Sequence, residues 1–111
     1  MHSERVAEHL AQILEEIGYA EQFVGGRGQE EFARDPLRLR AVVRCLEVIS
    51  EASRRLPKEL KARHPHLPWS DIAGAGNIYR HDYHQVLPRR VWETATSLSE
   101  LRSAIEQELA R

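Results

Sequence analysis

The sequence predicts an all-α protein, an antiparallel bundle of four to five helices. Three observations carry the helical reading. Apolar residues recur at helical spacing along several stretches, which marks amphipathic helices. Alternating apolar and polar positions, hairpin dipeptides and internal repeats do not stand out, which argues against strands and solenoids. Prolines and paired glycines fall between the periodic stretches, leaving the short connections that antiparallel neighbours need.

The elements follow in order. Ser3 is placed to cap a first helix, with Glu4 in its first turn. Val6, Leu10, Ile13, Leu14 and Ile17 form its apolar stripe, and Gly25-Gly26 stop it after Phe23-Val24. Gln29 to Arg34 is a short turn around Phe32. Asp35-Pro36 then starts a second long helix, Asp as cap and Pro at the first helical position. Its buried side is Leu39, Val42, Val43, Leu46, Ile49, Ala52 and Leu56, flanked by Cys45 and Val48. Leu56-Pro57 ends it. Pro57 to Ala62 is another short turn anchored by Leu60, and Arg63 to Pro68 is a connection in which His64 and His66 are read as solvated. Trp69-Ser70-Asp71 opens the next helix, which ends near Tyr83-His84. Pro88 begins the last element, with Val91, Trp92, Ala95, Leu98, Leu101, Ile105 and Leu109 as its apolar side and Ser97 and Ser99 as points of interruption.

A chain of 111 residues with 41% hydrophobic and 30% charged residues is expected to form a single helical domain over residues 1–111, with one modest core. The single cysteine, Cys45, excludes an internal disulfide and any all-cysteine metal site, and reads as a small core residue. No apolar run approaches the roughly 20 residues needed to span a bilayer, and Met1 to Arg5 lack a signal-peptide layout. A cytoplasmic protein without membrane contact is expected. The net charge of −1 gives no global attraction to nucleic acid. Residues 37–64, however, hold Arg38, Arg40, Arg44, Arg54, Arg55, Lys58, Lys61 and Arg63 against Glu47, Glu51 and Glu59. That is either a local basic surface or a solvated face neutralised in part by the acidic first helix.

The stretch Ile72 to His84 is the one that ordinary packing does not explain. Gly74 and Gly76 each weaken a helix by about 1 kcal/mol relative to Ala, which suggests close approach by another helix or by a substrate. Asn77, Arg80, His81, Asp82, Tyr83 and His84 then crowd within one or two turns. Histidine as a residue type has an unperturbed pKa near neutral pH, which makes His81 the natural acid–base candidate. Arg80 is a permanent cation suited to phosphate, and Asn77 shares the His81 face at i, i+4. Such a set suits RNA cleavage, because the 2′-hydroxyl is an internal nucleophile and neither metal nor cofactor is required. On residue types alone, a histidine in a polar helix end is the commoner explanation. His81 and His84 at i, i+3 are only two ligands, so no metal site is expected.

Leu67-Pro68-Trp69-Ser70-Asp71-Ile72-Ala73-Gly74, then Asn77, His81-Asp82-Tyr83 and Val91-Trp92, resemble the HepT-like toxins of the HEPN superfamily. Arg40-Ala41-Val42, Ile49-Ser50-Glu51-Ala52 and Leu56-Pro57 fit the same pattern, so the likeness covers nearly the whole chain. The resemblance implies a helical bundle whose dimer joins two motif helices into one RNA cleft. It implies a metal-independent endoribonuclease of a type VII-like toxin–antitoxin pair, partnered by a small nucleotidyltransferase antitoxin that can adenylylate the motif tyrosine, with tRNA among the targets. The family motif runs Arg, polar residue, three positions, His, any residue, Tyr. Its polar residue, histidine and tyrosine fall on Asn77, His81 and Tyr83, but its arginine position is Gly76. Arg80, one turn on, is the residue expected to stabilise phosphate charge instead. The competing expectation is a helical module that binds the nucleotidyltransferase without cutting RNA.

Overall fold

Ser3 begins the first helix where its sequence position places it. Its hydroxyl accepts the Val6 N–H at 3.2 Å, and Glu4 follows in the first turn, where the helix dipole favours a carboxylate. The computed structural model describes residues 2–81 and 86–111 and runs α1 from Glu4 to Val24. Leu10, Ile13 and Ile17 are fully buried, with Val6 and Leu14 packed at their edge. Gly25 closes the helix with φ 58°, donating its N–H to the Glu21 carbonyl at 2.9 Å. A side chain in that left-handed conformation would be strained. The single turn α2 (Gln29–Ala33) seats Phe32 in the core.

Helix α3 (Pro36–Arg54) starts on Asp35, whose carboxylate accepts the Arg38 N–H at 3.1 Å. The Arg38 guanidinium in turn donates to the Phe23 carbonyl at 3.1 Å, which ties the start of α3 to the end of α1. Val42, Val43, Cys45, Leu46, Ile49 and Ala52 are buried along α3, the central helix, with α1 and α5 its main neighbours. Burial, with Glu16 nearby, pushes the Cys45 thiol up to about 12, so it is inert packing. The turn α4 (Lys58–Ala62) buries Leu60, and α5 (Trp69–His81), α6 (Pro88–Ala95) and α7 (Ser99–Leu109) complete the chain. The indole of Trp69 donates to the His64 carbonyl at 3.0 Å and that of Trp92 to the Arg27 carbonyl at 2.9 Å. These bonds fix how α5 and α6 meet the rest of the bundle.

The described residues form helices and no strands, as expected for the all-α class. There are seven helices among the described residues rather than four to five. Two are the single turns α2 and α4, and the last apolar stretch is cut in two at Ser97-Leu98. Thr96 and Ser97 hydroxyls donate to the Trp92 and Glu93 carbonyls at 2.8 and 2.6 Å, taking acceptors left free where α6 ends.

Two expectations are corrected. His66 is exposed, but His64 is buried, its Nε2 2.7 Å from a Glu108 oxygen. Arg63 donates twice to the same carboxylate, at 2.6 and 3.0 Å, and His2 lies 2.8 Å from it. Glu108 is only 2% exposed, and these partners, Arg63 foremost, hold its carboxyl down at about 2. Leu109, expected on the buried side, is 39% exposed. The inward face of α7 ends on Glu108 because a paired carboxylate is cheaper to bury than a bare one.

Candidate active site

Helix α5 meets α3 closely at one point. Gly76 is the buried residue of α5, and a Cβ there would stand 2.7 Å from Ser50 Oγ and 3.1 Å from Ser50 Cβ. The Ser50 hydroxyl occupies that space with purpose. It donates to the Ala73 carbonyl at 2.9 Å and accepts the Gly76 N–H at 3.0 Å. Arg54 adds Nε and Nη2 to the same Ala73 carbonyl at 3.1 and 2.8 Å. Of the two glycines expected to mark a close approach, Gly76 does so, against a helix. Gly74 is exposed, with nothing within 4 Å of where its Cβ would be.

Arg80 folds back along α5 by one turn. Its Nη2 donates to Asn77 Oδ1 at 3.0 Å, and its Nη1 lies 3.8 Å from a Glu51 oxygen on α3. The guanidinium therefore rests over the α3–α5 seam. It does not enter the volume that a side chain at Gly76 would take, because Ser50 fills it. His81 is the last residue of α5 and is exposed together with Asn77 and Arg80. The structure thus brings Asn77 and Arg80 into contact and sets His81 one turn beyond Asn77. Tyr83, with Asp82 and His84, lies outside the described residues.

Two cations join this group that sequence reasoning treated only as part of a basic stretch. Glu51 lies 2.8 Å from Arg55 Nη2 and 4.0 Å from Arg54 Nη1, as well as near Arg80. The Arg55 hydrogen bond, with the charges of Arg55, Arg54 and Arg80, holds the Glu51 carboxyl below its usual range. Their spacing from Glu51, three and four residues on, was a legible sign that they share its face. Their proximity to α5 needed the fold. An exposed seam of guanidinium groups with an amide and an imidazole beside it favours a polyanion.

The other flank of α5 differs in character. A cavity of 390 Å³ there is lined by Leu46, Ile72, Tyr79, Leu98 and Leu101 among others, with neither arginine nor histidine among the described residues of its wall. Burial pushes the Tyr79 hydroxyl up, although Thr94 hydrogen-bonds it. Phosphate has no reason to enter that side. No helix among the described residues is long and apolar enough to cross a membrane.

Comparison with known proteins points the same way. The family described as ribonuclease HepT-like matches residues 13–108. The chain is 38% identical over 104 residues to "Putative RNase TTE0752" of Caldanaerobacter subterraneus subsp. tengcongensis, covering 93% of each chain. It is 36% identical over 99 residues to "Putative RNase MJ1216" of Methanocaldococcus jannaschii, covering 88% of this chain and 82% of the relative. It is also 36% identical over 87 residues to "Probable ribonuclease HepT" of Thermococcus cleftensis, covering 78% and 79%. No solved structure matches the chain.

Proposed function

This chain belongs to the ribonuclease HepT-like family, and from that premise we propose that it is a metal-independent endoribonuclease. The observation that carries the reading is the exposed cluster at the end of α5, where the Arg80 guanidinium is held on Asn77 beside His81. His81 takes the proton of an RNA 2′-hydroxyl. The 2′-oxygen attacks phosphorus, the bond to the 5′-oxygen breaks, and that oxygen leaves with a proton as a 5′-hydroxyl. The other product is a 2′,3′-cyclic phosphate. Arg80 stabilises the charge that builds on the phosphoryl oxygens, and Asn77 positions Arg80. A two-fold homodimer sets two such clusters across one cleft, so that one His81 serves as base and the other as acid.

We place the protein in the cytoplasm, in a type VII-like toxin–antitoxin pair with a small nucleotidyltransferase. The antitoxin neutralises it by adenylylating Tyr83, and tRNA is the substrate class. Purified protein incubated with total tRNA tests the enzyme reading. Wild type cuts. His81→Ala loses about 10²- to 10⁴-fold, and Arg80→Ala about 10²- to 10³-fold. Binding without cleavage by the wild type would sink the reading.

A second reading rests on Gly76. The position of the family's arginine is closed by Ser50, which favours a helical partner module that binds the nucleotidyltransferase and cuts nothing. Growth arrest on expression, abolished by His81→Ala, separates the two. A tight complex without toxicity is the mark of the second.

A further inference from the structure

The face of α3 that meets α5 carries more positive charge than the proposed reaction uses. Arg54 and Arg80, from different helices, both hold an Nη1 within 4.0 Å of one Glu51 oxygen, while Arg55 grips the other oxygen at 2.8 Å. A single carboxylate thus gathers three guanidinium groups, a net excess of two positive charges on an exposed surface. The Arg55 side chain is 60% exposed and Arg54 and Arg80 are more than one-third exposed, so their remaining donors face water. A planar, two-oxygen anion inside a ring of forks is the arrangement that a phosphodiester would also satisfy.

We propose that Arg54, Arg55 and Arg80 form a phosphate-binding subsite for single-stranded RNA, in which Glu51 stands in for the phosphodiester in the free protein. Glu51 keeps three like charges together when no RNA is present. RNA engages the same donors, and Glu51 then opposes it as a nearby like charge. The subsite adjoins the Asn77–Arg80 pair, so a phosphate held there threads the neighbouring nucleotide past His81. The inference rests on the RNA-cleaving reading for its ligand. It assigns to α3 a binding role, with Arg54 and Arg55 as backbone contacts that carry no part of the bond-breaking step. Arg54 has a second duty in its bonds to the Ala73 carbonyl, which matters for the choice of variants.

The test is fluorescence anisotropy with a short, labelled, single-stranded RNA over a salt series. It is run in the His81→Ala protein so that the RNA is not consumed. Among the described residues, the side-chain hydrogen bond that Arg55→Gln removes is its pair with Glu51. The substitution weakens binding about 5- to 10-fold and flattens the slope of log affinity against log salt by about 0.7, the loss of one phosphate contact. Arg54→Gln does the same, and Arg54→Lys restores the slope. Glu51→Gln moves the other way, tightening binding about 2- to 5-fold, a gain that misfolding cannot produce. Unchanged slope in Arg55→Gln together with unchanged affinity in Glu51→Gln overturns the subsite. Cleavage assays with His81 intact are scored separately. His81-dependent cutting with unmoved slopes leaves the enzyme reading standing and removes the subsite. Slopes that shift as expected without any cutting do the reverse.

Discussion

Replacing Gly76 with alanine should destabilise the protein, although alanine is the better helix former. The added Cβ would lie 2.7 Å from Ser50 Oγ and 3.1 Å from Ser50 Cβ, both well inside ordinary contact. Ser50 is 1% exposed, and its hydroxyl is already held by two bonds. If its hydroxyl rotates away, it gives up its bonds to the Ala73 carbonyl and the Gly76 N–H, at about 1 kcal/mol each. If α5 instead moves off α3, the overpacking costs about 1–3 kcal/mol. Helix propensity returns about 1 kcal/mol. The net is a loss of about 1 kcal/mol, read as a lower urea midpoint at unchanged m-value and a fall in Tm of about 4 °C. In a Ser50→Gly background both offending atoms are gone, and Gly76→Ala becomes neutral or stabilising. The cycle therefore shows a coupling of about 1–2 kcal/mol between the two sites. Gly76→Ala as stable as wild type with Ser50 present would refute the account of the close approach between α5 and α3.

Glu108 and Cys45 give two further expectations. A carboxyl held at about 2 instead of 4.5 contributes about 3 kcal/mol at neutral pH. Because its folded value is depressed, that contribution is full above about pH 5 and fades as pH falls from 4.5 towards 2. Glu108→Gln should accordingly be about 3 kcal/mol less stable than wild type at pH 7 by urea unfolding, with the gap closing in acid; a gap independent of pH would count against the pairing. Cys45, buried with its thiol pushed up to about 12, should react with a thiol reagent at pH 8 only as fast as the protein unfolds, and rapid labelling of the native protein would contradict its place in the core.

Much of this fold is written locally. Ser3, Gly25 and Asp35-Pro36 are caps whose chemistry acts within four residues, and they begin or end helices where the sequence says. The stripe Leu10, Ile13 and Ile17 is likewise a local period. What the sequence hides is pairing across distance. His64 looks like a loop histidine until α7 brings Glu108 to it, 44 residues on. Glu108 breaks the expected apolar stripe for the same reason, leaving Leu109 outside. The site divides similarly. Asn77, Arg80 and His81 lie in one helix and their shared surface is legible from spacing, whereas Arg54 and Arg55 gain meaning only when α3 lies against α5. Gly76 was legible as a close approach, but the atom it approaches, Ser50 Oγ, was not.

The chemistry proposed at His81 is tested most directly by the ends of the cut RNA. The protein is incubated with tRNA in excess EDTA, and the fragments are treated or not with a phosphatase that requires an opened cyclic phosphate. The account predicts cutting that persists in EDTA, 2′,3′-cyclic phosphate and 5′-hydroxyl ends, and loss of both in His81→Ala. Cutting that needs a divalent cation and leaves 3′-hydroxyl ends, or cutting that survives His81→Ala, would contradict it.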